Sequence, residues 1–266
     1  MGLLLCKENT MKPIVKILLS VVAVVAAAIC VLCCLFIYQY FRGGNLTETV
    51  AGESAPNATI VVGNASSEPS MTIGIDFAGL QEMNKEIYAW VELPGADISH
   101  AVVQSATNDL FYNDHNIDKS YYSGGSIFSQ RYNTTTFEDP VTVLYGHNRH
   151  SHTMFAPLND FAAADVFEAN RYIFIYTPEK VYQYEIFAAY PHSSEHLLLC
   201  HDFTDSKEFN DYFAQLKDGL DTHYRRELFP EEGDKVLTLS TCYKRNRMQR
   251  YLVQGVLTQT YNVVEN

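Results

Sequence analysis

The feature that most constrains this chain is an uncharged stretch near its N-terminus, at residues 17–38. The stretch contains a single hydroxyl side chain, Ser20, and is otherwise almost entirely apolar. A helix of about 20 apolar residues is long enough to cross the hydrocarbon core of a bilayer. The sequence therefore predicts a transmembrane anchor at 17–38, so that a water-soluble domain has to be built from the residues that follow.

The charges that flank this stretch predict its orientation. Lys7, Lys12 and Lys16 precede it, whereas only Arg42 follows closely, and positive residues concentrate on the cytoplasmic side of an anchor. We expect residues 1–16 in the cytoplasm and a single-pass cell-membrane protein, held by lipid around the anchor, whose remainder is extracellular. A cleaved signal peptide and a lipoprotein are the alternatives, although the run is longer than a typical signal-peptide core.

The region after the anchor divides into a linker and a domain. Residues 39–74 are rich in small and polar side chains, a composition typical of a flexible extracytoplasmic linker. Residues 75–266 are periodic and are predicted to form one folded domain. The formal net charge of −12 falls on this part of the chain, and an acidic surface repels phosphate backbones, so we expect no nucleic-acid partner.

The domain is predicted to be mainly β with helical insertions. Helical spacing predicts an N-terminal helix over 77–87, a second helix over 155–166, and a third whose apolar stripe covers 209–220 and whose N-terminal cap is Asp205 or Ser206. The third helix lies in a long connection, 192–234, before the last two strands. Eight short strands favour a closed or nearly closed β-barrel: Tyr88–Glu92, His100–Gln104, Gly125–Gln130, Val141–His147, Tyr172–Thr177, Val181–Pro191, Lys235–Cys242 and Arg250–Thr260.

A cysteine ends one of these strands. Side chains alternate along Lys235–Cys242, so Leu237 and Leu239 share the core face while Cys242 lies on the opposite, more polar face. An accessible thiol at a strand end can act as a nucleophile. An inert buried cysteine and a disulfide with Cys200 are the alternatives.

A histidine ends another strand. His147 closes the run Val141–His147 and can serve as an acid, a base or a metal ligand. His150 and His152 follow it, but no carboxylate accompanies them at a standard ligand spacing, so we expect no metal and no cofactor. An exposed histidine in a turn is the alternative.

An arginine opens the last strand. Arg250 follows Cys242 by eight residues, which is enough for a hairpin to return it beside the thiol. A solvated basic turn containing Arg247 is the alternative. A cysteine, a histidine and an arginine that meet at strand ends would suit acyl transfer.

Three motifs resemble those of the sortases. Thr238-Leu239-Ser240-Thr241-Cys242 is similar to their T-L-x-T-C signature, Tyr145-Gly146-His147-Asn148 is similar to the end of their catalytic-histidine strand, and Arg250-Tyr251-Leu252-Val253 is similar to their last strand. The order of the motifs is also that of the family, and the resemblance runs from about residue 75 onward. The helical insertions resemble class B.

This resemblance implies an eight-stranded barrel and catalysis by His147, Cys242 and Arg250, with Arg247 as the second choice for the arginine. It also implies cleavage of the Thr–Gly or Thr–Asn bond in a C-terminal sorting motif of surface proteins. The acyl product would pass to a cell-wall amine, on a peptidoglycan precursor or a pilin, at a Gram-positive cell surface.

The resemblance also suggests residues of the substrate groove, by position: Asn108, Tyr112, Ser240 and Thr241. Two other functions stay open on the sequence. One is a cysteine hydrolase that releases its acyl group to water. The other is a catalytically silent barrel that binds surface proteins.

Overall fold

The computed structural model describes residues 21–34, 59–61, 69–246 and 248–264. Residues 21–34 form helix α1, whose side chains are exposed. The ends of the predicted anchor, 17–20 and 35–38, lie outside the described residues, as do Arg247 and most of the predicted linker. Within the described ranges, no helix combines the length and the apolar character needed to cross a membrane.

Eight strands of the described chain close into a barrel. The described chain has the strands β1 (Thr59–Val61), β2 (Ser70–Thr72), β3 (Ile87–Leu93), β4 (Ile98–Val103), β5 (Ile127–Phe128), β6 (Val141–Tyr145), β7 (Tyr172–Tyr176), β8 (Lys180–Ser193), β9 (His223–Tyr224), β10 (Val236–Cys242) and β11 (Gln249–Val263). The ring runs β11-β10-β6-β5-β4-β3-β7-β8, and it closes because β11 pairs with both β10 and β8. The predicted eight-stranded barrel is thus confirmed, and each predicted run overlaps one strand of the ring.

Three further strands lie outside the ring. β9 pairs with β8, whereas β1 pairs with β2 and β2 extends β11 in parallel. Met71 of β2 is only 4% exposed. The folded part therefore begins before residue 75, inside the stretch that the sequence assigned to the linker.

The helices differ in part from the prediction. α2 (Phe77–Met83) is shorter than expected because Ile87 already begins β3. α4 (Leu197–Cys200) is an additional short helix, and α5 (Ser206–Gly219) confirms the helix of the long connection. The side chain of Asp205 accepts a hydrogen bond from the Glu208 amide at 2.9 Å, so Asp205 rather than Ser206 caps α5.

The predicted helix over 155–166 is wrong in type. A 3₁₀ helix spans Ala156–Ala162, and a short α3 follows at Ala164–Ala169. Phe155, Leu158 and Phe161 recur every three residues and are all buried, which matches the three residues per turn of a 3₁₀ helix. Three shorter 3₁₀ helices are Pro94–Ala96, Phe111–Asn113 and Arg226–Leu228.

Apolar side chains pack both inside the barrel and against its outer surface. Leu237 and Leu239 lie in the barrel core, as the alternation predicts. Outside the barrel, Phe209 and Phe213 of α5 pack with Phe187 of β8 in a second cluster. Because β10 is parallel to β6 and antiparallel to β11, the ends of β6 and β10 meet the start of β11 at one rim.

Candidate active site

A pocket of about 210 Å³ opens at this rim. Register pairing places Ser240 opposite Tyr145 and Cys242 opposite Arg250. His147, Cys242 and Arg250 all line the pocket. The fold thus brings together three side chains that are 8 to roughly 100 residues apart in the sequence, because three strand ends meet there.

Arg250 contacts the thiol directly. Its Nη1 lies 3.3 Å from Cys242 Sγ, within hydrogen-bond distance for sulfur. Both side chains are half-buried. A guanidinium in this position can donate to the sulfur and, once substrate is bound, to an oxygen that gains negative charge beside it.

The imidazole of His147 is held by a main-chain carbonyl. Its Nε2 lies 2.7 Å from the Asn113 carbonyl oxygen, which can only accept, so Nε2 is the donor. The neutral ring then leaves Nδ1 available to take up or return a proton. The carbonyl of His147 accepts from the Phe155 amide at 3.1 Å, which fixes the backbone on the other side.

The neighbouring histidines do not gather around His147. His152 Nε2 pairs with Asp160 Oδ2 at 2.9 Å, and His150 is exposed. In the described part of the chain, no group of three histidine, cysteine or acidic side chains is arranged to hold a metal ion.

Both cysteines of the domain are free thiols in the described structure. Cys200 is exposed at the end of α4, whereas Cys242 is half-buried in the pocket. The disulfide that the sequence left open is therefore not formed here.

Two of the four predicted groove residues line the pocket. Ser240 and Thr241 do so, and Thr241 is only 2% exposed. Among the described residues, no hydrogen-bond partner is present for its Oγ1. A buried hydroxyl without a partner is costly unless a ligand satisfies it.

The other two are not among the residues that line the pocket. Asn108 is exposed, and its Oδ1 accepts from the Leu110 amide at 3.0 Å. Tyr112 is only 1% exposed, and its hydroxyl donates to Glu86 and accepts from Asn84. Tyr112 therefore lies in the core. Leu110, two residues earlier in the chain, lines the pocket.

The end of β8 and the segment that follows it supply pocket residues that the sequence did not identify. His192, Glu195 and His196 line the pocket. His196 Nε2 lies 2.5 Å from Gln130 Oε1, and burial lowers the pKa of His196, which favours a neutral ring. This segment carries no periodic pattern that would single out individual residues.

Tyr145 lines the same pocket as Arg250. Burial raises the pKa of Tyr145, while the positive charge of Arg250 opposes that rise. Tyr145 therefore stays a neutral phenol beside the thiol and the guanidinium. The arrangement offers a nucleophile, a proton carrier and a cation to an acyl group bound in the pocket.

Comparisons with known proteins agree with this geometry. A family model described as the sortase domain matches residues 91–258. Sortase B of Listeria monocytogenes is 31% identical over 183 residues, which cover 67% of this chain and 72% of that protein.

Solved structures give the same result. Clostridium perfringens sortase B is similar at a TM-score of 0.60 and 30% identity, over 68% of this chain and 99% of that chain. A Staphylococcus aureus sortase B–substrate complex is similar at a TM-score of 0.57 and 25% identity, over 69% and 84%. Since the family model spans more than half of the chain, the chain belongs to the sortase family, as a class B sortase and a cysteine transpeptidase of that kind.

Proposed function

We propose that this sortase is membrane-anchored, cleaves a C-terminal sorting motif of surface proteins and transfers the acyl product to a cell-wall amine. One observation carries the proposal. Arg250 Nη1 lies 3.3 Å from Cys242 Sγ in a pocket that His147 also lines. The proposed catalytic residues are accordingly Cys242, His147 and Arg250.

The first half-reaction forms a thioester. The sulfur of Cys242 attacks the carbonyl carbon of the scissile peptide bond, so that a C–S bond forms and the oxygen becomes negative. Arg250 donates to this oxyanion. The proton of the Cys242 thiol passes to Nδ1 of His147 as the sulfur attacks, and the C–N bond then breaks as His147 gives this proton to the departing amine.

The second half-reaction returns the enzyme to its starting state. An incoming amine attacks the thioester carbonyl and loses a proton to His147. The new C–N bond forms, the C–S bond breaks, and the sulfur leaves as a thiolate. His147 then passes the proton taken from the amine to this thiolate, so protons and charges balance over the cycle.

A peptide of the sorting-motif class suits this pocket. The related Staphylococcus aureus structure is a substrate complex, which supports substrate binding at the corresponding site here. Ser240 and Thr241 are proposed substrate contacts, and Thr241 Oγ1 would gain a partner on binding. The acceptor is proposed to be the amine of a peptidoglycan precursor or of a pilin.

The location proposed for the enzyme depends on the sequence. Residues 1–16 would be cytoplasmic, 17–38 would form the anchor with membrane lipid around it, and the sortase domain at about 75–266 would be extracellular. The uncharged run and its N-terminal lysines support this arrangement. Protease treatment of intact cells should degrade the domain, and protection of the domain would overturn the proposed topology.

The experiment that tests the reaction analyses products from a sorting-motif peptide library by mass spectrometry, with and without an added amine. A transpeptidase forms the peptide–amine adduct, whereas a hydrolase gives only the free acid. Cys242→Ala is expected to abolish both cleavage and adduct, while Cys200→Ala serves as the matched control. Cleavage by Cys242→Ala at the wild-type rate would sink the assignment, and a silent binding barrel would give no product from either protein.

A further inference from the structure

The main-chain carbonyl of Cys242 accepts two side-chain amides. Asn148 Nδ2 lies 2.9 Å from this oxygen, and Asn159 Nδ2 lies 3.2 Å from it. Asn148 follows His147 directly, whereas Asn159 lies in the 3₁₀ helix Ala156–Ala162. The residue next to His147 is therefore bonded to the main chain of Cys242, at a point away from the thiol and the imidazole.

The first of these contacts continues the ladder between β6 and β10. The two strands are parallel, and the Gly146 amide donates to the Ser240 carbonyl at 3.1 Å where β6 ends. Carbonyls two residues apart point to the same side of a strand, so the oxygens of Ser240 and Cys242 face the same neighbour. Two residues beyond Gly146, the side chain of Asn148 supplies the next donor.

His147 therefore lies between two attachments to the nucleophile strand. One is the main-chain bond of Gly146, and the other is the side-chain bond of Asn148. The chain after β6 has left the regular ladder, so the Asn148 amide helps to set how far His147 stands along β10, beside the bonds of His147 itself to Asn113 and Phe155. A slip of about 1 Å at this point would misplace the imidazole relative to the thiol.

Asn159 supports the same carbonyl from the other side. Its Oδ1 accepts from the Lys244 amide at 2.8 Å, and the residue is only 1% exposed. The side chain of Lys244 also reaches Asp160 at 3.1 Å. These bonds hold the turn that follows Cys242 and leads back to Arg250.

We propose that Asn148 is a positioning residue that sets the register of His147 against Cys242, with Asn159 holding the strand end. The inference rests on the proposed roles of His147 and Cys242. Neither asparagine is among the residues that line the pocket. Their effect is to keep the imidazole and the thiol at a fixed separation while substrate enters and product leaves.

The test measures the alkylation of Cys242 by iodoacetamide as a function of pH, in the full chain. Mass spectrometry of the peptide that contains Cys242 separates it from the other thiols. Asn148→Ala is expected to shift the midpoint of the pH profile and to lower peptide cleavage by about tenfold or more through kcat, with KM little changed. Asn148→Gln keeps the amide and should recover part of the loss.

A matched control is available at the other end of β6. Asn133 is a buried asparagine whose amide bonds the backbone of β6 at its beginning, far along the strand from His147. Asn133→Ala should lower the thermal midpoint but leave the pH profile of alkylation unchanged. Asn148→Leu, which is similar in size and cannot donate, covers the case in which Asn148→Ala does not fold.

Two results would overturn the inference. One is that Asn148→Ala and Asn148→Leu both have the wild-type pH profile of alkylation and the wild-type kcat. The other is a change that Asn133→Ala reproduces in both readouts, which would indicate a merely structural role. Alkylation of Cys242 needs no turnover, so an unchanged pH profile in the Asn148 variants contradicts the positioning role alone. Failure of the proposed reaction is reported separately, by the activity of Cys242→Ala.

Discussion

A histidine inside the barrel should make the stability of this protein sensitive to acid. His100 lies on β4 opposite Val91 and on the same face as Ile98 and Val102, whose side chains belong to the barrel core. The residue is 6% exposed, and among the described residues no hydrogen-bond partner is found for its Nδ1. Burial lowers the pKa of His100 from 6.5 to about 4.

The sign and size of the effect follow from linkage. The folded state resists protonation, whereas the unfolded chain takes up a proton at its ordinary pKa of 6.5. The stabilisation is therefore fully present above about pH 6.5 and is lost as the pH falls toward 4. At about 1.4 kcal/mol per pKa unit, the whole loss amounts to roughly 3 kcal/mol in the free energy of unfolding.

The assay compares urea unfolding of wild type and His100→Leu at about pH 7 and about pH 4.5. The wild type should lose about 2.5 kcal/mol more than the variant over this interval, because only the wild type gains a proton on this ring when it unfolds. Carboxylates titrate in both proteins and cancel in the difference. Equal losses in the two proteins would refute the reasoning.

Three further perturbations test other parts of the account. Arg250→Ala should lower the rate of peptide cleavage by about a hundredfold or more, while Arg247→Ala should lower it far less. If a kinetic assay gave the reverse ranking, the catalytic arginine would be Arg247. Gly146→Ala should lower the free energy of unfolding by about 1–3 kcal/mol in urea, since a Cβ there would lie 2.6 Å from the Phe155 ring; an unchanged midpoint would contradict this. Asp205→Ala should cost about 1 kcal/mol in the same assay without changing cleavage, and a loss of cleavage would show that α5 affects the site.

Alternation and turn residues were sufficient to predict the barrel. Leu237 and Leu239 face the core as predicted, and the strand ends bring Cys242, His147 and Arg250 into one pocket. The core face and the pairing of Cys242 with Arg250 needed only local periodicity and the rule that a hairpin returns the chain beside itself, whereas the place of His147 came from the resemblance to the sortases. Periodicity and hairpin return are both contained in short windows of sequence.

What the sequence could not give depends on distant contacts. Tyr112 was assigned to the groove by position, but Asn84 and Glu86 bind its hydroxyl from more than 25 residues away. His196 reaches the pocket through a loop without periodicity and contacts Gln130, which is 66 residues earlier. No local pattern encodes such pairs, because the fold creates them.

The central claim is that Cys242 carries the acyl group between peptide and amine. The most direct test is intact-mass and peptide-level mass spectrometry of the enzyme during turnover of a cleaved sorting-motif peptide. We expect an acyl adduct on the peptide that contains Cys242, which disappears when an amine is added while the peptide–amine product forms. Continued cleavage with Cys242 unmodified, or in Cys242→Ala, would contradict the claim.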